Sequence, residues 1–450
     1  MGNASGAGRT GASAGSGTVQ AGASSGGASS ANTGGASNGA SSGASGTGAS
    51  GAGAAGAATH AGAGGLGGAG GTVATGTGGG APAGGRGGAG GNGGAGGHGG
   101  AGGSIGGGGG IGSGGSSGGG ASCSTPAAAS TLVGWAAVSG GGVTTTTGGG
   151  NATPTTVTTL AQLNSAADGT TAAVIWVKGK ITGDIKVGSN KTIAGICGAE
   201  LHGHVEVNGS ANVIIRNIAI VGYGVGNCAL DPSYDASVGC SSGADAISVQ
   251  KNANHIWIDH CDISDGTDGN LDITNAADFV TVSWTKFHYS PRTDTVGSDS
   301  TGAAGHRFSN LVGGSDSKTG DAGTLNITWH HDWWADNVVE RQPRVRFGKN
   351  HLFNDLWTSS ASNYCVRAGK EAQILIDDSV FSGVKDPQQF NSTTDQGTSF
   401  ITATNNVYTN TSGLKDSGGG GTAFTAPPYA YTPDPTAGLA AAIQSGAGPH

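Results

Sequence analysis

The sequence predicts an all-β domain behind a long flexible stalk. Three observations carry this reading. Short apolar runs with period-two alternation recur after residue 122. Long amphipathic helical patterns are nearly absent there. Residues 1–121 hold almost nothing from which a core could be built.

The stalk is the simplest element. Of 95 glycines in 450 residues, most fall before Ala121, among Ala, Ser and Thr, with two arginines (Arg9, Arg86), no acid and no Trp, Tyr or Phe. Such a stretch buries too little apolar area to offset the entropy of ordering it, so residues 1–121 are expected to form a disordered linker. No strict glycine period supports a fibrous repeat.

Residues 122–450 have globular composition and are expected to form a single catalytic-size domain. All 28 acidic residues lie here with 18 basic ones, a net charge of −10. That balance argues against a nucleic-acid partner. An anionic ligand would need a local basic cleft or a bridging cation. Six cysteines (Cys123, Cys197, Cys228, Cys240, Cys261, Cys365) show no CxxC spacing, so a zinc site is not expected. Cys228 and Cys240 bracket a loop-like run and are expected to form a local disulfide, consistent with an oxidising compartment. No transmembrane run occurs, and the chain opens without an apolar export segment. An exported protein is expected to have lost one.

The β pattern consists of VIWVKGKITGDIKV (174–187), NVIIRNIAIVG (212–222), HIWIDHCDISD (255–265), FVTVSWTKF (279–287), LNITWHHDWW (325–334), HLFNDLW (351–357), QILIDDSVF (373–381) and FITATNNVY (400–408). The short run TLAQLNSAA (159–167) is the best helix candidate. Many runs come in pairs separated by one polar residue that bends the chain, as in VIIRNIAI and IWIDHCDI. That suits successive strands around a solenoid coil, with a polar ladder near Asn217 along a turn. Pattern alone leaves sandwich, propeller and parallel β-helix open.

Three groups of residues carry chemistry. In DGTDGNLDITN, strand alternation would turn Asp268, Asn270 and Asp272 outward and Leu271 and Ile273 inward. Carboxylates sharing one face repel unless a cation sits between them, and calcium suits such oxygen ligands. The alternative is an Asp/Gly-rich turn. Asp245, one or two coils earlier in a solenoid, could complete the site. In VVERQPRVRFGKNHLFND, Val345 and Phe347 would point inward and Arg344 and Arg346 outward. Clustered arginines on an acidic protein suit a carboxylate or phosphate ligand, or pair with surface acids. His330, His331 and Asp332 could ligate a metal, but neighbouring strand residues face opposite sides. Trp329, Trp333 and Trp334 suit either sugar stacking or packing.

The strings WIDHCDISDGTDGNLDITNAADFVTVSWTKFH and ITWHHDWWADNVVERQPRVRFGKNHLFND resemble the extracellular pectate lyase family. The shared motifs are WIDHC, the D-x-x-x-D strand, VTVSW and R-x-P-x-x-R-x-G-x-x-H, and the resemblance covers nearly all of residues 130–445. It implies a right-handed parallel β-helix. It implies calcium-dependent β-elimination of polygalacturonate, with calcium held by Asp245, Asp268 and Asp272. Arg341 becomes the general base, and Arg346 a ligand for a substrate carboxylate. Arg292 stands, by register from His288, where a carboxylate-gripping lysine is common. Many members carry another acid two residues before the first calcium ligand, where this chain has Gly243. The family is secreted, so an extracellular, monomeric enzyme is expected, tethered through the stalk if at all.

That chemistry suits these residue types. The C5 proton of galacturonate is acidic because a carboxylate adjoins it, and cations on that carboxylate stabilise the developing charge. An arginine base is awkward given a pKa above about 12, so nearby cations would have to lower it. A pectin lyase would be expected to lose the acid cluster. A β-helical polygalacturonase would hydrolyse through paired aspartates; its neighbouring motifs are missing, and Asp377–Asp378 alone read as a strand-end turn. A non-catalytic polysaccharide-binding solenoid would not need to keep Arg341 with the acids.

Overall fold

The structure, a computed structural model, describes residues 124–224, 231–235, 237, 243–291 and 306–450. Every pairing between its named strands is parallel. One hydrogen-bonded sheet contains 17 strands and a second contains 8. Each run read as a pair in the sequence is two short strands of the large sheet. Ala211–Arg216 and Ala219–Val221 make one such pair, Asn254–Asp259 and Asp262–Ser264 the next. Asp278–Ser283 with Lys286–His288, and Gln373–Asp377 with Val380–Ser382, follow the same plan. The chain coils, so each strand pairs with its equivalent one coil on, and the all-β parallel β-helix expected from the resemblance is the observed architecture.

The bend inside each pair is set by one residue held in the left-handed region. Asn217, His260, Trp284, His331, Asn354, Asp378 and Asn405 all have φ between 47° and 57°. Asn and Asp tolerate this conformation better than most residues. The polar ladder runs one residue further on. The N–H groups of Thr285, Asp332, Asp355 and Ser379 donate in turn to Asp332 Oδ1, Asp355 Oδ1, Ser379 Oγ and Asn406 Oδ1. Asn217 itself donates to Gly195 O at 3.0 Å.

Inside the coils, like residues stack in register. Val213, Ile256, Val280 and Ile327 form one column, and Ile215, Ile258, Val282 and Trp329 another, all fully buried. Phe287, Trp334, Trp357, Phe381 and Tyr408 stack with ring centroids 5.6, 4.8, 4.0 and 5.2 Å apart. Burial of this sort stabilises by about 25 cal/mol per Å² of apolar surface. Trp329 and Trp334 therefore belong to the core, and Trp333, half-buried outside, lies under Lys286. The predicted helix is Leu160–Ala167, capped by Thr159 accepting from Gln162 N–H, and it buries Leu163 and Ala167 against the first coils. No helix among the described residues is long and apolar enough to cross a membrane.

The 8-stranded sheet was hardly legible in the sequence. Its strands are two to four residues long, such as Ile247–Gln250, Leu271–Ile273, Asn310–Val312, Arg344–Val345 and Val366–Ala368. Its outward row, read along the axis, is Glu206, Ser248, Asp272, Leu311, Arg344, Arg367 and Gln389. Acids and arginines far apart in sequence thus share one face.

Candidate active site

Asp272 sits on the outer face of Leu271–Ile273, as alternation predicts, yet it is buried, and Leu311 N–H donates to its Oδ1 at 3.1 Å. Asp268 is not on the strand; it lies in the loop before it. Asn270 is not outward either. It is fully buried, accepting from Gly266 N–H and donating to His288 O, so the loop it ties down sets the position of Asp268. Asp245 comes from the preceding coil. It is brought alongside because Thr267 and Asp268 N–H both donate to Ala244 O, and Ala246 N–H to Gly269 O.

The result is a tight acidic group. One carboxylate oxygen from each of Asp245, Asp268 and Asp272 lies within 4.8 Å of the others. Gly269 borders the group without a side chain, and a Cβ there would stand 3.0 Å from both Asp245 Oδ1 and Asp272 Oδ1. Asp245 Oδ1 is buried and has no hydrogen-bond partner among the described residues. Burial, then the neighbouring charges of Asp272 and Asp268, pushes the Asp245 carboxyl well above its usual range. Burial and Asp268 lift Asp272 to about 7. Three oxygens crowded this closely, one without a donor, match the donor set of a hard divalent cation. Among the described residues this is the only such group of three or more potential ligands.

Arg341 faces the group from two coils further along. Asn270 N–H donates to Ser309 O, Ser309 N–H to Glu340 O, and Asn310 N–H to Arg341 O, which steps the chain from the acids to the arginine. Its backbone is left-handed, with φ 58°, a conformation costing a non-glycine residue roughly 1–2 kcal/mol. Its guanidinium carbon lies 4.5 Å from the centroid of the Phe308 ring. Burial disfavours the charged guanidinium, but Asp272, Asp268, Tyr364 and Asp245 outweigh it and hold Arg341 above its ordinary value. The lowering expected for a base is thus absent while the acids are uncompensated.

Arg346 is pinned, with Nε 2.6 Å from Asp316 Oδ1 and Nη1 donating to Gly313 O at 2.9 Å. Val345 and Phe347 are buried, as expected. Arg344 reaches Asn391 Oδ1. Arg292 and the Cys228–Cys240 pair lie outside the described residues. Cys261 and Cys365 are buried free thiols.

Three neighbours escaped sequence reasoning. His306 Nε2 lies 2.7 Å from Asp268 Oδ1, Phe308 carries Arg341, and Asp231 acts on Asp245. They lie in loops without periodicity, so nothing in the pattern marks them. His330 and His331 correct a different expectation. The left-handed backbone at His331 brings their Nδ1 atoms to 3.1 Å instead of opposite faces. His331 Nε2 faces Asp434, and Asp332 enters the buried ladder.

A family model described as pectate lyase matches residues 120–449. The chain belongs to the pectate lyase family. It is 36% identical to the probable pectate lyase B of Aspergillus terreus over 245 residues, which are 52% of this chain and 65% of that protein. It is 36% identical to the pectate lyase B of Colletotrichum gloeosporioides over 284 residues, 60% of this chain and 73% of that protein. Among solved structures, a pectate lyase bound to hexasaccharide superposes with a TM-score of 0.51 at 25% identity, covering 70% of this chain and 96% of that one. A pectate lyase of Bacillus sp. N165 in complex with trigalacturonate is similar in fold, with a TM-score of 0.55 at 22% identity over 71% and 98% of the two chains.

Proposed function

We propose that this pectate lyase family member cleaves (1→4)-α-D-galacturonan by calcium-dependent β-elimination, leaving 4,5-unsaturated ends. The single observation that carries the reading is the meeting of Arg341 with Asp245, Asp268 and Asp272, three of them from the segments that lead into short strands and Asp272 from a strand itself. Those three aspartates would hold the calcium ion. Bound there, the ion supplies positive charge against a substrate carboxylate and so acidifies the adjacent C5–H. Arg341 takes the C5 proton. The C5–H electron pair becomes the C4=C5 double bond, and the C4–O pair leaves with the glycosidic oxygen, which is protonated from water. Phe308 packs against one side of the guanidinium, which limits the reorganisation needed at the moment of transfer. Arg346, its plane held by Asp316 and Gly313, binds a substrate carboxylate, assisted by Arg292. Neutralising the acids would remove the charges that raise Arg341 and leave burial to act in the lowering direction, which ties its basicity to cation binding.

The catalytic unit is residues 122–450, monomeric and secreted, with residues 1–121 as a linker and a Cys228–Cys240 disulfide. The test is ultraviolet absorbance of the conjugated product on polygalacturonate, with calcium and with chelator. Product formation that ignores chelation would overturn the calcium role, and reducing ends without absorbance would indicate hydrolysis.

A further inference from the structure

We infer that Asp231 supplies a fourth negative charge to the Asp245–Asp268–Asp272 cation site, from a separate loop, where position 243 can offer none. The inference rests on the calcium dependence proposed above.

Gly243 stands two residues before Asp245. A Cβ built on it would lie 2.1 and 2.5 Å from Thr267 Cγ2 and Cβ, and 2.7 Å from Asp231 Oδ2. No side chain fits, so the backbone at 243 cannot present a carboxylate to the site. The Asp231 carboxylate occupies the space instead. It is buried, at 4% exposure. Its Oδ2 accepts from Ala244 N–H at 2.7 Å, the residue directly before Asp245. Its Oδ1 accepts from Ser233 N–H at 2.9 Å and Ser233 Oγ–H at 2.6 Å.

All three donors are neutral, and among the described residues no cationic side chain pairs with Asp231. Its charge is therefore hydrogen-bonded but not cancelled. After burial, Asp272, Asp268 and Arg341, it is a further charge bearing on Asp245. A buried charge just outside the ligand set raises cation affinity through space, because little water intervenes to screen it. Asp231 thus acts as a positioning and charge-supplying residue, through Ala244 and the field at Asp245, and touches no substrate.

The experiment is calcium titration by isothermal calorimetry on the full chain, wild type against Asp231→Asn, at low and at high ionic strength. Asparagine keeps the shape and an acceptor oxygen while deleting the charge. The expected result is a roughly three- to tenfold weaker Kd for Asp231→Asn at both ionic strengths, because a buried charge is screened little by salt, with Asp231→Glu close to wild type. Asp231→Ser gives the same reading through a smaller side chain should Asp231→Asn fail to fold. An unchanged Kd in the neutral variants overturns the inference. So does an equal loss in Asp231→Glu, which keeps the charge, since that would make Asp231 a backbone brace only. A wild type that binds no calcium would instead overturn the proposed calcium dependence, a distinct outcome.

Discussion

Asp332 and Asp355 lie on adjacent coils with Asp332 N–H donating to Asp355 Oδ1 at 2.8 Å, while the Oδ2 of each is buried with no partner among the described residues. Burial, then the charge of the other aspartate, pushes Asp332 well above the carboxylate range; burial also raises Asp355. Asp259 adds to the rise at Asp332 and Asp377 at Asp355, while Thr285 N–H on one and Asp332 N–H on the other oppose it.

The sign follows from linkage. A carboxyl raised on folding binds more protons folded than unfolded, so stability is intact below the unfolded value, about 3.9, and declines as pH rises toward the folded one. Asp332→Asn should therefore stabilise the protein at neutral and mildly alkaline pH. Thermal melts should show a gain of about 1–2 °C for each kcal/mol recovered in a domain of this size, vanishing in acid. A lower melting temperature at every pH would mean that the second oxygens are satisfied in some other way.

At the acidic group, Asp268→Asn and Asp272→Asn should each weaken calcium binding and calcium-dependent activity without unfolding the coil. Gly269→Ala offers a sharper check, because its methyl would stand 3.0 Å from both Asp245 Oδ1 and Asp272 Oδ1. Calorimetry should report a loss of roughly tenfold in affinity, the order expected when a metal site is disturbed from just outside its ligands. Full activity of these variants in chelator would show that the carboxylates serve another purpose.

Arg341 and Arg346 should separate kinetically. Arg341→Lys should lower kcat by about 10² or more with a small change in KM, since proton transfer belongs to the transition state. Arg346→Ala should raise KM as well, because a ground-state carboxylate contact goes. Near-normal kcat for Arg341→Lys would move the base elsewhere, first to Arg292.

Deletion of residues 1–121 should leave turnover and melting temperature of the remainder nearly unchanged, because that stretch carries no Trp, Tyr, Phe, acid or cysteine. Comparing the two proteins by circular dichroism melts and by product absorbance decides it. A large drop in folded yield would mean the segment contributes to the domain.

The sequence by itself determined the strand runs, the short capped helix, and the residue types of the site. Period-two alternation is a local property, and it correctly sent Val345 and Phe347 inward. It could not decide the solenoid, since a sandwich buries the same alternation; only the family motifs did. The two-to-four-residue strands of the smaller sheet were invisible because they are too short for a period to register. Tertiary structure alone decided that Asp268 hangs from a loop held by Asn270, and that Phe308, His306 and Asp231 surround the acids and the arginine. The reason is the parallel coil itself. Residues 20 to 70 positions apart become neighbours one or two strand spacings away, each about 4.8 Å, and no local pattern in a single chain records which residues of successive loops will meet.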